Sequence, residues 1–371
     1  MAGLKQGYSR RKNGMLQCRF TYEGRRYCVY GHTYQECEAK KQDIVEKVKN
    51  HILTCNDKIT LSEYYIEWQK GRELQIADST KYTNDQRWKR MEPYIGNEKV
   101  ARLETRHILS MRNELAKRLC ATTVNDEITL LNSIMESAID DKIRYDNPCR
   151  SKNLKPLPIE DDEATDTYHR ALTLEEQALF FKSAKKRTWY YELLVFMIAT
   201  GCRVGEAGAL KWSDIDFKNN VVKINKTITR VSHTEFVVKN KPKTKKSIRE
   251  IPLTKTAKDA LKSQRTKTHA FDTSKNVFMT YEGGMVTKNH VNSAISNVLE
   301  KMEKYEDTYI EHFTSHALRA TFATRAIEQG MTPQTLKTIL GHSSIKITMD
   351  LYAHVLPNTK QEEMQKLEIV V

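Results

Sequence analysis

The chain has 371 residues, of which 39% are hydrophobic and 29% are charged. At about 150 residues per domain this length predicts two or three domains, and the composition excludes a fibrous or wholly disordered protein. Its 61 lysines and arginines against 47 acids give a net charge of +14, which favours nucleic acid over a membrane surface as the partner. We expect no membrane span and no signal peptide, because the chain lacks an apolar run of about 18 residues and its start is polar.

Residues 1–58 predict a small sheet followed by a helix. Two alternating runs, 15–22 and 25–30, indicate strands, and a capping box of Thr33 and Glu36 begins the helix. Basic and aromatic side chains interleave in this sheet, which favours contact with a DNA groove, although a solvated basic surface is the alternative. The candidate DNA-binding residues of this sheet are Arg10, Arg11, Lys12, Arg19, Arg25 and Arg26.

Residues 59–150 predict an all-helical unit. Each candidate helix begins near a Ser or Thr that can cap it and carries apolar residues at helical spacing. Four helices are predicted. The first is capped by Thr60 or Ser62 and ends at Arg72, and the second begins at Ser79 and ends before Pro93. The third runs from Thr105 to about Leu119, and the fourth covers 124–143.

A linker and a larger mixed unit follow. Pro156, Pro158 and the acidic run 160–163 predict an exposed linker over 151–167, and with it a domain boundary. Residues 168–371 predict a mixed α/β domain that is mainly helical. Its predicted elements are a capping box at Thr173 and Glu176, helices over 189–200 and 203–210, strands over 221–228, 235–238 and 247–251, and helices after residue 286.

The cysteines are scattered along the chain and include no C-x-x-C pair. This spacing predicts neither a disulfide framework nor a zinc site, and it is typical of a protein in a reducing cytoplasm. We interpret all of them as packing residues. They are Cys18, Cys28, Cys37, Cys55, Cys120, Cys149 and Cys202.

Four motifs in the second half of the chain suit the chemistry of a phosphodiester. Its cleavage without a metal ion needs an in-line nucleophile, cationic donors on the non-bridging oxygens, and groups that move two protons. Arginine suits the oxygens because its planar fork binds two at once. The motifs contain Arg203 at a Gly-flanked turn into a helix, the basic segment 239–249, His316 with Arg319 at i, i+3 spacing, and His342 ten residues before Tyr352.

Each of these motifs also has a simpler interpretation. Tyr352 alone is most simply a packed helix tyrosine, and His316 alone a surface histidine. The segment 239–249, with Arg249 at its end, is most simply a solvated cationic hairpin. Their joint occurrence in one basic chain, in this order, favours the catalytic interpretation.

Taken together, these motifs resemble the catalytic domain of the tyrosine recombinases, in particular the integrases of phages and conjugative transposons. The family's T-G-x-R-x-G-E stands at 200–206, its H-x-x-R at 316–319 and its L-G-H at 340–342. Its nucleophilic tyrosine matches Tyr352. Many members place a histidine after the second arginine, where this chain has Ala320, and this departure bears on local packing more than on activity.

The resemblance implies a role for each residue. Tyr352 attacks the scissile phosphate and forms a 3′-phosphotyrosine, and His316 takes its proton. Arg203 and Arg319 hold the non-bridging oxygens. His342 is a further hydrogen-bond donor, Glu206 orients Arg203, and Lys243 protonates the 5′-oxygen. Three neighbouring lysines are alternatives to Lys243 and candidate DNA contacts: Lys241, Lys245 and Lys246.

The resemblance also implies the domain organisation and the partners. Residues 1–58 resemble an arm-site DNA-binding domain and 59–150 a core-binding domain, and 168–371 form the catalytic domain with a C-terminal tail that docks in cis or in trans. We expect a cytoplasmic bacterial enzyme that needs no cofactor and integrates and excises a mobile element. Its expected partners are arm-type and core-type DNA, further copies in a homotetramer, an excisionase and a host DNA-bending protein.

Three other functions remain open from the sequence. A type IB topoisomerase shares the tyrosine chemistry but has no use for a separate arm-binding sheet. A DNA-binding regulator with an inactive site would need none of the catalytic side chains. A host recombinase that resolves chromosome dimers would lack the basic sheet of 1–58.

Overall fold

The computed structural model describes residues 7–11, 14–22, 25–49, 58–144, 146–159, 170–239, 248–268, 275–342 and 344–355. The chain divides into two units, Met1–Ile159 and Glu160–Val371, and the division lies inside the segment that the sequence predicts as a linker. Among the helices within these ranges, none is both long enough and apolar enough to cross a membrane.

An antiparallel sheet begins the first unit. Its strands β1 (Tyr8–Arg10), β2 (Leu16–Tyr22) and β3 (Arg25–Gly31) lie side by side in chain order, and α1 (Tyr34–Lys49) follows. The Thr33 hydroxyl accepts a hydrogen bond from the Glu36 backbone at 3.1 Å and so caps α1. The predicted sheet and helix are confirmed. β1 was not predicted, because three residues are too few to show an alternating pattern.

The described stretch 58–144 contains four α-helices with one shared core. They are α2 (Leu61–Gly71), α3 (Asp78–Ile95), α4 (Thr105–Ala116) and α5 (Ala121–Asp140). Thr60 caps α2 in a capping box with Glu63. α4 ends earlier than the predicted position near residue 119 and α5 begins earlier than 124, so the loop between them is short. The buried residues of the core include Trp88, Met91, Ile108 and Leu131.

The prediction that the second helix ends before Pro93 was wrong. α3 begins at Asp78 and continues through Pro93 to Ile95. A proline in the last turn removes only the one hydrogen bond that its missing N–H would make, and the Gly96 N–H closes the helix by donating to the Glu92 carbonyl at 2.8 Å. Ile95 is 1% exposed, and burial of this side chain favours the extra turn.

The first part of the predicted linker packs on the helical unit. Leu154 is buried, and Leu157 lies against the same core. The Asn125 side chain holds the backbone of Leu157, accepting from its N–H at 2.8 Å and donating to its carbonyl at 3.0 Å. Residues 151–159 are therefore fixed in place by apolar burial, whereas 160–167 lie outside the described residues.

The second unit combines helices with two small sheets. One sheet has the strand order β4 (Ile215–Asp216), β5 (Val221–Ile224), β8 (Arg249–Pro252), and the other is the hairpin of β6 (Thr227–Arg230) and β7 (Phe236–Lys239). The α-helices of the second unit are α6 (Leu174–Arg187), α7 (Tyr191–Thr200) and α8 (Val204–Gly208) before the strands, and α9 (Lys255–Thr268), α10 (Lys288–Glu306), α11 (Ser315–Glu328), α12 (Pro333–Leu340) and α13 (Ile345–Val355) after them.

Two elements of this unit differ from the prediction. The single strand predicted over 221–228 is two strands, since the chain leaves the β4-β5-β8 sheet after Ile224 and enters the hairpin at Thr227. α9 was not predicted, because its buried face holds Ala257, Ala260 and Gln264 beside Leu261 and gives only a weak apolar period. The mainly helical α/β class predicted for this unit is confirmed.

Candidate active site

The first arginine motif forms a tight turn between α7 and α8. Gly201 adopts φ +66°, and a Cβ at this position would lie 2.5 Å from a ring carbon of Phe322, so only glycine fits. Arg203 stands at the N-terminus of α8. Its backbone N–H donates to Oε2 of Glu206 at 2.9 Å, and its Nη1 donates to Oε1 at 3.0 Å. Glu206 thus fixes both the backbone and the guanidinium of Arg203.

Glu206 has a second arginine partner that the sequence analysis missed. Arg249, interpreted above as part of an exposed cationic hairpin, has a side chain only 3% exposed. Its Nη1 and Nη2 donate to the two oxygens of Glu206 at 3.0 and 2.8 Å. Burial alone would raise the pKa of Glu206, but the hydrogen bonds and charge of Arg249, with the charge of Arg203, outweigh it and lower the pKa to about 2.

Arg319, on α11, joins the two glycine turns of the site. Its Nη1 donates to the Gly201 carbonyl and its Nη2 to the Leu340 carbonyl, both at 2.7 Å. Burial and the neighbouring charge of Arg203 lower the pKa of Arg319 to about 9. These two arginines therefore repel each other in a poorly solvated place, and an anion between them would relieve that repulsion.

His342 follows the second turn, where Gly341 ends α12 with φ +67°. Its Nδ1 lies 3.0 Å from the hydroxyl of Thr348, which is fully buried. Burial and then the charges of Arg319, Arg203 and Arg249 lower the pKa of His342 to about 4, so the ring is neutral at pH 7. When the Thr348 hydroxyl donates to Nδ1, Nε2 carries the proton and can donate to a substrate.

A cavity of about 380 Å³ brings three of the predicted residues together. Arg203, His316 and Arg319 line it, and the β6-β7 hairpin contributes Ile228 and Phe236 to its wall. Among the residues that the structure describes, no three His, Cys, Asp or Glu side chains stand close enough to hold a metal ion. Arg230 and Lys288 also line the cavity, so its wall combines three arginines and one lysine with the imidazole of His316.

Tyr352 lies on α13 and is not among the residues that line this cavity. Its hydroxyl donates a hydrogen bond to the Met331 backbone carbonyl, and its side chain packs against a small separate core that includes Ile327, Leu336 and Leu340. Burial raises the pKa of this hydroxyl. The predicted lysines Lys241, Lys243, Lys245 and Lys246 lie outside the described residues, in the connection between β7 and β8.

The basic residues predicted in the N-terminal sheet are mostly exposed. Arg19 and Arg26 project from the face opposite α1, and Arg11 stacks on the ring of Tyr30 on that same face, with 4.9 Å from its Cζ to the ring centre. Arg10 is exposed at the sheet edge. Lys12 and the side chain of Arg25 lie outside the described residues.

The second unit matches a known protein family, and relatives of the chain are found among curated proteins. The family model described as "Phage integrase family" matches residues 170–359. The "Tyrosine recombinase XerC-like" protein of Caldanaerobacter subterraneus is 26% identical over 359 residues, covering 91% of this chain and 90% of that protein. The "Transposase from transposon Tn916" of Enterococcus faecalis is 28% identical over 253 residues, covering 66% of this chain and 61% of that protein.

A solved structure shares the fold over most of the chain. It is a fragment of the Tn1549 transposon integrase in complex with circular intermediate DNA. The TM-score is 0.70 at 22% identity, and the match covers 83% of this chain and 99% of that one. At this identity the likeness concerns the fold.

Proposed function

This chain belongs to the phage integrase family of tyrosine recombinases, which are DNA strand transferases, and we propose that it cuts and rejoins DNA at specific sites to integrate and excise a mobile element. The observation that carries the proposal is the cavity in which Arg203 and Arg319 converge beside His316. Two guanidinium groups at one concave site suit the two non-bridging oxygens of a phosphodiester.

The charge balance of the site supports a phosphate as its ligand. Three arginines, Arg203, Arg249 and Arg319, surround one carboxylate, that of Glu206. The site therefore carries a positive excess before substrate binds. A phosphodiester supplies one negative charge in the ground state and develops more as the nucleophile attacks, so these cations stabilise the transition state more than the substrate.

The covalent step follows from the roles that the family motifs imply. The Tyr352 hydroxyl gives its proton to His316, and its oxygen forms a bond to phosphorus while the bond from phosphorus to the 5′-oxygen breaks. Lys243 gives a proton to that oxygen, and His342 donates to a non-bridging oxygen. Rejoining reverses these steps with the 5′-hydroxyl of another strand, so the phosphotyrosine conserves the bond energy and no ATP is consumed.

The position of Tyr352 sets a condition on this chemistry. Its hydroxyl must leave the Met331 carbonyl before it can reach a phosphorus atom held by Arg203 and Arg319. We therefore include in the proposal a movement of α13, which delivers Tyr352 either to its own cavity or to that of a neighbouring copy.

The first unit supports DNA binding outside the cleavage site. The open face of its sheet carries Arg11, Arg19 and Arg26 with no described acid among them, and such a face suits the phosphates that flank a groove. We propose that it contacts arm-type sites while the helical residues 59–150 contact the core site. A homotetramer on DNA, an excisionase, a DNA-bending protein and a bacterial cytoplasmic location complete the proposal.

A nicked suicide duplex tests the covalent step. The duplex is taken from the ends of the mobile element that contains the gene, and one strand is nicked close to the cleavage point. Cleavage then releases a short fragment that carries the new 5′-hydroxyl. Because this fragment diffuses away, the strand cannot be rejoined and the phosphotyrosine adduct accumulates. Wild-type chain should form the adduct, and Tyr352→Phe should bind the same duplex equally well without forming it. An adduct retained by Tyr352→Phe would assign the nucleophile to another residue, and DNA relaxation without any such site would favour a topoisomerase.

A further inference from the structure

Arg249 lies where β8, α8 and the end of α12 meet, behind the turn that carries Arg203. It is the first residue of β8, and its strand pairs with β5 at Ile224. Its Nη1 and Nη2 bind the carboxylate of Glu206 on α8, and its Nε donates to the Ile339 carbonyl in the last turn of α12. One side chain therefore ties the arginine motif of α8 to the turn that precedes His342.

The contact with Glu206 is shared in a way that fixes Arg203. Oε1 of Glu206 accepts from Nη1 of both arginines, and Oε2 accepts from Nη2 of Arg249 and from the Arg203 backbone. Without Arg249, Glu206 could rotate about its side-chain bonds while keeping one hydrogen bond to Arg203. With both of its oxygens bound by a planar fork, the carboxylate has one orientation and so has the guanidinium that it holds.

The contact with the second turn is equally close. A Cβ at Gly341 would lie 3.1 Å from Nη1, 3.3 Å from Cδ and 3.4 Å from Cζ of Arg249, so the arginine side chain lies directly against this glycine. Leu340 beside it accepts from Arg319, and His342 follows directly. A displacement of Arg249 would therefore shift the turn that sets both Arg319 and His342.

We propose that Arg249 is a positioning residue for strand cleavage, which acts through Glu206 on Arg203 and through the Ile339–Gly341 turn on His342. This role rests on the proposed function. Arg249 does not itself contact the phosphate, since its side chain is 3% exposed and its three named hydrogen bonds all go to protein oxygens. Its effect on the rate comes from geometry, because a shift of about 1 Å in a catalytic group can cost on the order of 10²-fold.

Two variants separate positioning from stability. Arg249→Lys keeps the charge and the burial but loses the planar fork and the Nε donor. The double variant Arg249→Met with Glu206→Gln replaces the buried ion pair with uncharged groups, which avoids leaving a buried carboxylate with half its partners. Arg187→Lys is the matched control. Arg187 also binds a carboxylate, that of Glu306, through two of its nitrogens, but it contacts none of these motifs.

Cleavage is measured on two nicked duplexes, one normal and one with a methylphosphonate at the scissile position. The methyl group removes the negative charge that Arg203 and Arg319 neutralise, so misplacement of Arg203 matters less there. Arg249→Lys should be slower by about 10²-fold on the phosphodiester and by less than about 10-fold on the methylphosphonate, with unchanged DNA affinity. The double variant should show the same dependence on substrate, and Arg187→Lys should match wild type on both.

Three results would overturn the proposal for Arg249 and leave the proposed function standing. Equal losses on the two substrates would mean that Arg249 serves stability alone, and a wild-type rate in the double variant would mean that it is dispensable. A loss of DNA affinity as large as the loss of rate would make it a binding residue. No adduct from the wild-type chain on either duplex would refute the proposed function itself, and the proposal for Arg249 with it.

Discussion

Replacing Glu206 by glutamine tests the buried charge cluster independently of catalysis. Glu206 has a pKa of about 2 in the folded protein against an ordinary value of 4.5. A lowered folded pKa stabilises the protein above the unfolded pKa, and this contribution is lost as the pH falls through the folded one. At about 1.4 kcal/mol per pKa unit, the charged form contributes roughly 3 kcal/mol at pH 7, and about half of that remains at pH 3.

We therefore expect Glu206→Gln to lower the free energy of unfolding of the second unit by about 3 kcal/mol at pH 7 and by clearly less at pH 3. Urea titrations at both pH values, read by hydrogen–deuterium exchange of peptides from β8 and α12, report this unit alone. Glu175→Gln is the control, since Glu175 is exposed in the first turn of α6 and its replacement should change the stability by less than about 0.5 kcal/mol. A loss below about 1 kcal/mol at pH 7, or one that is the same at both pH values, would refute a charge-stabilised cluster.

Three further predictions concern single groups. Lys243→Ala should slow cleavage by ~10²–10⁴, and a 5′-bridging sulfur should restore most of the rate because a thiolate leaves without a proton; no rescue would point to another lysine. His342 should titrate near pH 4 in an NMR experiment, and a value above 6 would contradict its burial beside Arg319 and Arg203. The logarithm of the DNA-binding constant should fall linearly with the logarithm of the salt concentration, and Arg19→Ala and Arg26→Ala should each reduce the steepness of that line by about one. If neither substitution changes the slope, the sheet is not part of the DNA interface.

The sequence predicted the site where the information is local. The turn and helix at 200–206 and the pairing of His316 with Arg319 depend on neighbours a few residues apart, so their spacing was sufficient to identify them. Arg249 was missed because its partner Glu206 lies 43 residues away in the chain. One signal was available: in β8, Arg249 and Ile251 alternate with the exposed Glu250 and Pro252, which places Arg249 on the buried face of the strand.

The elements that escaped prediction share a physical reason. Continuation of α3 through Pro93 depends on the burial of Ile95, and packing of the segment 151–159 depends on Leu154 and on the amide of Asn125. In each case tertiary burial outweighs a local signal of proline or charge. No local pattern could indicate the direction of the Tyr352 hydroxyl, because that direction depends on how α13 packs against α11 and α12.

The separation of Tyr352 from its cavity has an energetic consequence. The two arginines proposed to bind phosphate are held by protein acceptors, Arg319 by two carbonyls and Arg203 by a carboxylate that also binds Arg249, so this half of the site is preorganised. Tyr352 is held away by one hydrogen bond, worth about 0.5–1.5 kcal/mol, and by a half-buried ring on an 11-residue helix. Contacts with DNA or with a second copy readily supply energies of that size. Tyr352, the proposed nucleophile, is therefore the part of the site whose position an assembled complex can control, whereas Arg203 and Arg319 are already held by the protein.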